Sequence, residues 1–484
     1  MYHVRDKQIA VQDVEVSSML RDRYEDDPSF WTIIKQLAVE MEPELAQIDK
    51  ILDDDELYQL IKHDLSQRYP RTLETVRPST PVEVNLRMLA VKRLYGFTYR
   101  ATAWHVKDSL VLRWFCRAYF NEVPDHSTFN RWALLIKPDT LVAFNERVST
   151  LAKELKVTRG RKLRTDGTVV ESNIAYPRDS KLLADGVRVL CRTIKRVKKV
   201  IGDTSKAAAQ TFRDRRRSAR NRARQIANCA RRKSEAAKTE MRQAYRRLVD
   251  IARSAVRQAK AVADLIPAEG EQGAERLAET LTTFIPRVEQ AVEQTVRRVF
   301  QEEKVPAAEK IVSLFEPHTA IIRRQKAGKP VEFGHKVWLD EVDGGIVTRW
   351  SVLEGNPPDN EQWRPAIDHH IELFEKPPYL ASGDRGLYSP DNEAYAKGKG
   401  VKRVILPKRG RKSEQRRAYE AQSWFRRGRR FQAGVEGRIS VLKRKHSLDR
   451  CLDHGDEGFE KWVGWGVIAG NLAVMGRALA AKAA

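Results

Sequence analysis

Cysteine is scarce: four among 484 residues, at Cys116, Cys191, Cys229 and Cys451. No C-x-x-C pair occurs, so neither a zinc ribbon nor a disulfide framework is encoded, which suits a reducing compartment. The opening MYHVRDKQIA lacks the apolar stretch of a secretory leader, and a cytoplasmic, nucleoid-associated location is expected. Long apolar runs are missing except WVGWGVIAGNLAVMGRALA (462–480), which Asn471 and Arg477 interrupt. A bilayer tolerates such groups poorly, so the run predicts a buried amphipathic helix and no membrane partner. Gly466 and Gly470 then mark close helix packing.

Acidic excess is also missing. The chain carries 89 Lys+Arg against 65 Asp+Glu, a net charge of +24, with a pI near 9.9. That balance calls for a polyanion, nucleic acid first and a membrane surface as the rival. Much of the excess lies in Arg192–Lys260, where 23 Lys+Arg face 5 Asp+Glu with no proline and a single glycine. The stretch predicts one or two long helices. With 261–310 it reads as a helical hairpin having one strongly basic arm. The one-sided sign favours phosphate contact, with Arg213, Arg215, Arg216 and Arg217 as candidates.

Four segments emerge: an N-terminal helical region (1–75), a DNA-binding region (76–155), a core (160–180 plus 315–484) and the basic insertion (181–314). A linker with two prolines, Arg71–Pro81, separates the first two. Residues 82–136 read as short helices, a polar turn NEVPDHS and a last helix TFNRWALLI. This order resembles a helix-turn-helix in which Ser127, Thr128, Asn130 and Arg131 face DNA.

Asp166 interrupts LRTDGTVVES, whose valines and threonines favour a strand extending over 163–176. VEFGHKVWLDEVDGGIVTRWSVLEG gives two strands about an Asp343-Gly344-Gly345 turn. A helix near 359–376, a strand in PYLASGDRGLYS, a helix at 391–397, a strand in VKRVILP and an amphipathic helix at 431–448 complete a mixed, helix-rich α/β order. The stretch KRGRKSEQRR between the last strand and helix reads as a linker. Asp384 follows one strand end, and Glu436 lies on the late helix between Gly434 and Gly437. Strand ends of open α/β sheets form ligand sites, and carboxylate oxygens suit Mg²⁺. Asp368-His369-His370 and His335 are weaker metal candidates, better read as structural.

DGTVVESNIAYPRDSKLLADGVRVL, ASGDRGLYSPDNEA and GVEGRISVLKRKHSL resemble the three catalytic blocks of bacterial DDE insertion-sequence transposases, most closely the ISNCY group. VPDHSTFNRW resembles their N-terminal region, and the likeness spans roughly residues 80–475. It implies an RNase H-like core with Asp166, Asp384 and Glu436 as metal-binding catalytic triad. It also implies two Mg²⁺ ions, with Mn²⁺ able to substitute, and double-stranded DNA partners, namely terminal inverted repeats and target. A homodimer or larger synaptic assembly follows. Lys443, seven residues after Glu436, matches a lysine common in these enzymes, whereas Arg429 and Gln432 replace their tyrosine and arginine. Arg385 and Lys443 are candidate DNA contacts. The rival readings are an inactive DNA-binding regulator, an RNase H-like nuclease without joining activity, and a structural coiled coil.

Overall fold

The computed structural model describes residues 21–67, 80–201, 212–264, 266, 272–323 and 330–483. They fall into two compact units, one built from residues up to 170, 336–353 and 357–484, the other from 171–335 and 354–356.

The first unit opens with eight helices: α1 (Pro28–Gln36), α2 (Pro43–Ile51), α3 (Asp55–Ser66), α4 (Val82–Leu94), α5 (Tyr99–Asp108), α6 (Leu110–Phe115), α7 (His126–Leu135) and α8 (Pro138–Glu154). Most of the expected 71–81 linker lies outside the described residues. In LDDDEL, Asp54 caps α3 by accepting from the Leu57 N–H at 3.0 Å. Such capping is worth about 1 kcal/mol. Asp49 and Asp53 instead pair with Arg87 at 2.7 and 2.5 Å, and Arg87 is fully buried in α4. The acidic run is therefore a counter-charge for a buried arginine as well as a helix start. Helices α6 and α7 are joined by residues 116–125, in which Arg117 and Tyr119 hold positive φ. A tight helix-turn-helix turn has only about three to four residues.

The sheet follows. β1 (Lys162–Ser172) pairs in parallel with β5 (Leu380–Ser382), and β5 with β6 (Arg403–Ile405). β3 (Val331–Val342) lies on the other side of β1 and forms an antiparallel hairpin with β4 (Ile346–Leu353). The hairpin turns through Gly344 and Gly345, both at positive φ. A side chain at Gly344 would collide with the Val157 carbonyl. β1 ends at Ser172, short of the expected 176, where the chain bends. α13 (Trp363–Phe374) and α14 (Pro390–Gly398) alternate with the strands, making this a mixed, helix-rich α/β unit. The supposed basic linker is partly helical, α15 (Glu414–Ala421), because Ser413 caps it and Arg416 pairs with Glu393 and Glu420. α16 (Ser423–Lys445) begins earlier than expected, and a short β7 (Arg450–Cys451) leads to α17 (Gly455–Ala483).

α17 is long and apolar enough to cross a membrane, yet 67% of its apolar window is buried in the protein. It is not amphipathic: the burial runs round all its faces from Gly458 to Leu472. Glycines make this possible. A Cβ at Gly466 or Gly470 would press into Leu448 or Leu442, each at 2.6 Å. Asn471, fully buried, satisfies its amide by accepting from the Val347 N–H and donating to Val347 O and Asn145 Oδ1. Asn471→Leu should therefore destabilise the protein by about 1–3 kcal/mol for each partner left unpaired. The fall in denaturant midpoint measures it.

Burial pushes the His446 imidazole down to about 4, outweighing the hydrogen bond to the Arg93 backbone, which raises it, and the charge of Arg438 adds to the fall. An unfolded histidine titrates near 6.5 and binds the proton that the folded one refuses. Stability from this group is complete above about pH 6.5 and is lost as pH falls toward 4. His446→Gln should flatten that acid limb of a stability-against-pH curve.

The second unit carries β2 (Ala320–Arg323), antiparallel to the start of β3, and four helices. These are α9 (Asp179–Ile201), α10 (Arg216–Cys229), α11 (Glu235–Ala263) and α12 (Gln272–Val299). The expected hairpin is corrected to a four-helix cluster. Leu183, Leu190 and Ile194 of α9, Ile226 of α10, Leu248 and Ala252 of α11 and Leu281 and Val288 of α12 share one core. Each helix carries an apolar stripe, and two arms could not bury all four. Pro286 lies inside α12 without ending it.

Candidate active site

Asp166, Asp384 and Glu436 all belong to the first unit, and its backbone sets their relation. β1 and β5 pair Lys162 with Leu380, Leu163 with Ala381 and Arg164 with Ser382. The pairing ends there, and Asp166 and Asp384 each follow its last pair by two residues. Gly383 holds the chain in line there, its N–H donating to Ile405 O at 3.0 Å.

Side chains alternate along a strand, so Asp166 shares a face with Arg164. Arg164 turns that face toward α16, donating to Phe431 O at 2.7 Å. Gln432 then donates to Thr165 O at 3.0 Å and accepts from Ser382 Oγ at 2.9 Å. Eleven residues later, Lys443 donates to Val169 O at 2.6 Å. The helix climbs about 16 Å between those contacts at 1.5 Å per residue. Thr165 to Val169 spans about 13 Å at 3.3 Å per residue. The helix thus runs along β1, and Glu436, one turn past Gln432 on the same stripe, comes level with Asp166 and Gly167. Gly437 faces open space. Asp166 inside β1, Asp384 two residues past β5 and Glu436 on the helix along β1 thus belong to neighbouring elements of one unit.

Each aspartate accepts from the backbone of a glycine just after it. Asp166 Oδ1 accepts from the Gly167 N–H at 2.7 Å, and Asp384 Oδ1 from the Gly386 N–H at 2.8 Å. Gly167 is required by packing: a Cβ would lie 2.9 Å from the Trp338 ring. Beneath the site, Trp338 donates to the Thr165 hydroxyl, which donates to the buried Asp340, itself paired with Arg349 at 2.9 Å. Arg164 forks onto buried Glu341 at 2.8 and 2.7 Å. The acids thus stand on a satisfied polar layer.

Sequence reasoning missed three neighbours. A Cβ built on Gly386 would lie 3.0 Å from Asp384 Oδ1, 3.1 Å from Asp359 Oδ2 and 3.4 Å from an Arg409 terminal nitrogen. Asp359 is ion-paired with Lys336, whose stem passes beside Gly167. A fourth carboxylate and two cations therefore border the site. Only the SGDRG turn hinted at it, through Gly386, which lets the chains approach. Lys443 lies on the Glu436 stripe, and Arg385 is exposed beside Asp384.

The other candidates lie elsewhere. Ser127 and Thr128 spend their hydroxyls and N–H groups on Asp125, which caps α7. Those hydrogen bonds hold the Asp125 carboxyl well below the usual carboxylate range. Arg131 leans back onto Thr128 Oγ1 at 3.0 Å, and Asn130 is half-buried. The hydroxyls at the start of α7 are therefore engaged in the helix's own cap. Arg216 pairs with Asp214 at 2.5 Å, Arg215 is half-buried, and Arg213 and Arg217 are exposed. Asp368 binds Tyr395 and Lys399, while His370 is buried against Phe374, so that triplet does not converge. His335 stacks on His318, which meets Glu316 at 2.7 Å.

Residues 35–133 match a family model described as a transposase domain (DUF772). The match supports a transposase family and covers about a fifth of the chain, α2 to most of α7, outside the carboxylate site. No curated protein and no solved structure matches the chain.

Proposed function

We propose that the chain is an insertion-sequence DDE transposase of the ISNCY type with an RNase H-like core, cutting and joining DNA by in-line phosphoryl transfer. The observation that supports this is the parallel pairing of β1, which holds Asp166, with β5, which Asp384 follows, and the hydrogen bonds that lay the Glu436 helix along β1. The transposase-domain match in 35–133 comes from a different part of the chain and supports the same reading.

The donor set fits a hard divalent cation. All three groups are carboxylates, two are held by glycine N–H groups, and Gly437 leaves room beside the third. Asp166, Asp384 and Glu436 would hold two Mg²⁺ ions, or Mn²⁺, which when bound supply Lewis-acid activation of water or a 3′-OH and stabilise the leaving oxygen. The protein's own cations act on DNA: Arg385 and Arg409 border the site, and Lys443 sits two turns past Glu436. These residues orient the phosphodiester, and Lys443 holds the strand near the cut. The DNA partners are terminal inverted repeats and target, brought together by a dimer or larger assembly in the nucleoid.

The deciding experiment incubates purified protein with pre-cleaved ends, target plasmid and Mg²⁺. Joined products support the reading. Hydrolysis alone indicates an RNase H-like nuclease, and binding without either reaction indicates a regulator.

A further inference from the structure

In the second unit a cavity of about 420 Å³ opens between α9 and α10. Six cations line it: Arg178, Lys181 and Arg188 from the α9 side, and Arg216, Arg220 and Arg224 from α10. Asp185 is the one acid in the lining, and it pairs with Lys181 at 3.4 Å and Arg188 at 3.2 Å. Arg216 is held by Asp214. Arg178, Arg220 and Arg224 have no counter-ion among the described residues. Another cavity of the same unit, about 540 Å³ between α11 and α12, sets three arginines against three glutamates and is neutral.

We infer that the α9–α10 cavity is a docking site for the sugar–phosphate backbone of DNA, resting on the DNA-acting reading above. Arg216, Arg220 and Arg224 succeed one another at four-residue steps, so they form one row with about 6 Å between neighbours. A row at that pitch suits consecutive phosphates along one strand. Ala184, Ala223 and Ala227 lie in the lining between the cations, where short side chains let a phosphate come close. Guanidinium groups fork onto phosphate oxygens, which a strand of phosphates rewards more than a single anion does. The contacts are to backbone only, so this site adds affinity and register but no sequence choice. It also moves the expected contacts from Arg213–Arg217 to the row that begins at Arg216.

The test uses the full chain with metal chelated and a short labelled duplex, followed through a salt titration. Each phosphate contact contributes a slope of about 0.9 in log K against log salt. Arg178→Gln/Arg220→Gln/Arg224→Gln should lower the slope by roughly two to three. Arg220→Gln alone should lower it by about one. Arg253→Gln/Arg257→Gln, in the neutral cavity, should leave it unchanged. Tripolyphosphate should compete weakly and anionic phospholipid vesicles not at all. An unchanged slope in both cavity variants, an equal fall in the control, or preference for vesicles overturns the proposal. Cleavage and joining with an unchanged slope sinks this site alone, whereas the expected slopes without any cleavage sink the catalytic reading alone.

Discussion

Glu436→Gln and Asp384→Ala should each reduce strand cleavage and joining to background while leaving end binding intact, if the proposed site is the catalytic one. Either substitution removes one of three oxygen-donor anions, and Mg²⁺ demands near-ideal octahedral placement of its ligands. A second readout separates this from a structural role. Metal that binds the folded state raises its stability by mass action, so Mg²⁺ should raise the melting temperature of the unaltered chain but not of Glu436→Gln. In metal-free buffer Glu436→Gln should melt slightly higher than the parent, because one of three neighbouring like charges has gone. A salt-bridging glutamate would give the opposite sign. A variant that melts lower without metal, or that still joins ends, removes Glu436 from the site.

The elements that carry the candidate acids were legible in the sequence: a strand around Asp166, a strand end before Asp384 and a late helix holding Glu436. Asp166 stood out because a charge among strand-forming valines is costly without a purpose, and glycines beside Asp384 and Glu436 marked tight backbone. The order of strands and helices followed from alternation and turn signals. Lys336, Asp359 and Arg409 were illegible for a physical reason: ordinary surface residues by type, they gain meaning only where Gly386 lets separate loops meet. Gln432 has no role legible in its sequence neighbourhood, and only the structure assigns it the joint between Thr165 O and Ser382. The insertion was misjudged because charge dominates its composition. Apolar stripes at helical spacing in α9, α10, α11 and α12 hold the four helices together, but an arginine excess hides them. The α7 cap was not read from the sequence: Ser127 and Thr128 have the chemistry of phosphate ligands, and in the structure they hydrogen-bond to Asp125.

Arg164→Met should cost about 3–5 kcal/mol, the usual penalty for leaving a buried charge without its partner. Glu341 is 1% exposed, and Arg164 meets both its oxygens. Methionine keeps much of the stem's volume, so the loss arises from charge more than from packing. The same guanidinium also ties Phe431 O to β1 and fills the space that a Cβ on Gly434 would need. Losing it frees the first turns of α16, and with them the level of Glu436 against Asp166. Stability and joining activity should therefore fall together. Arg164→Met/Glu341→Met separates the two effects, since replacing both members of a buried pair by apolar groups is often neutral or stabilising. The double variant should recover most of the denaturant midpoint yet stay impaired in joining, because the Phe431 tether is still missing. Full recovery of both would show that Arg164 serves the core alone. A single variant that keeps its midpoint would show that water already reaches Glu341.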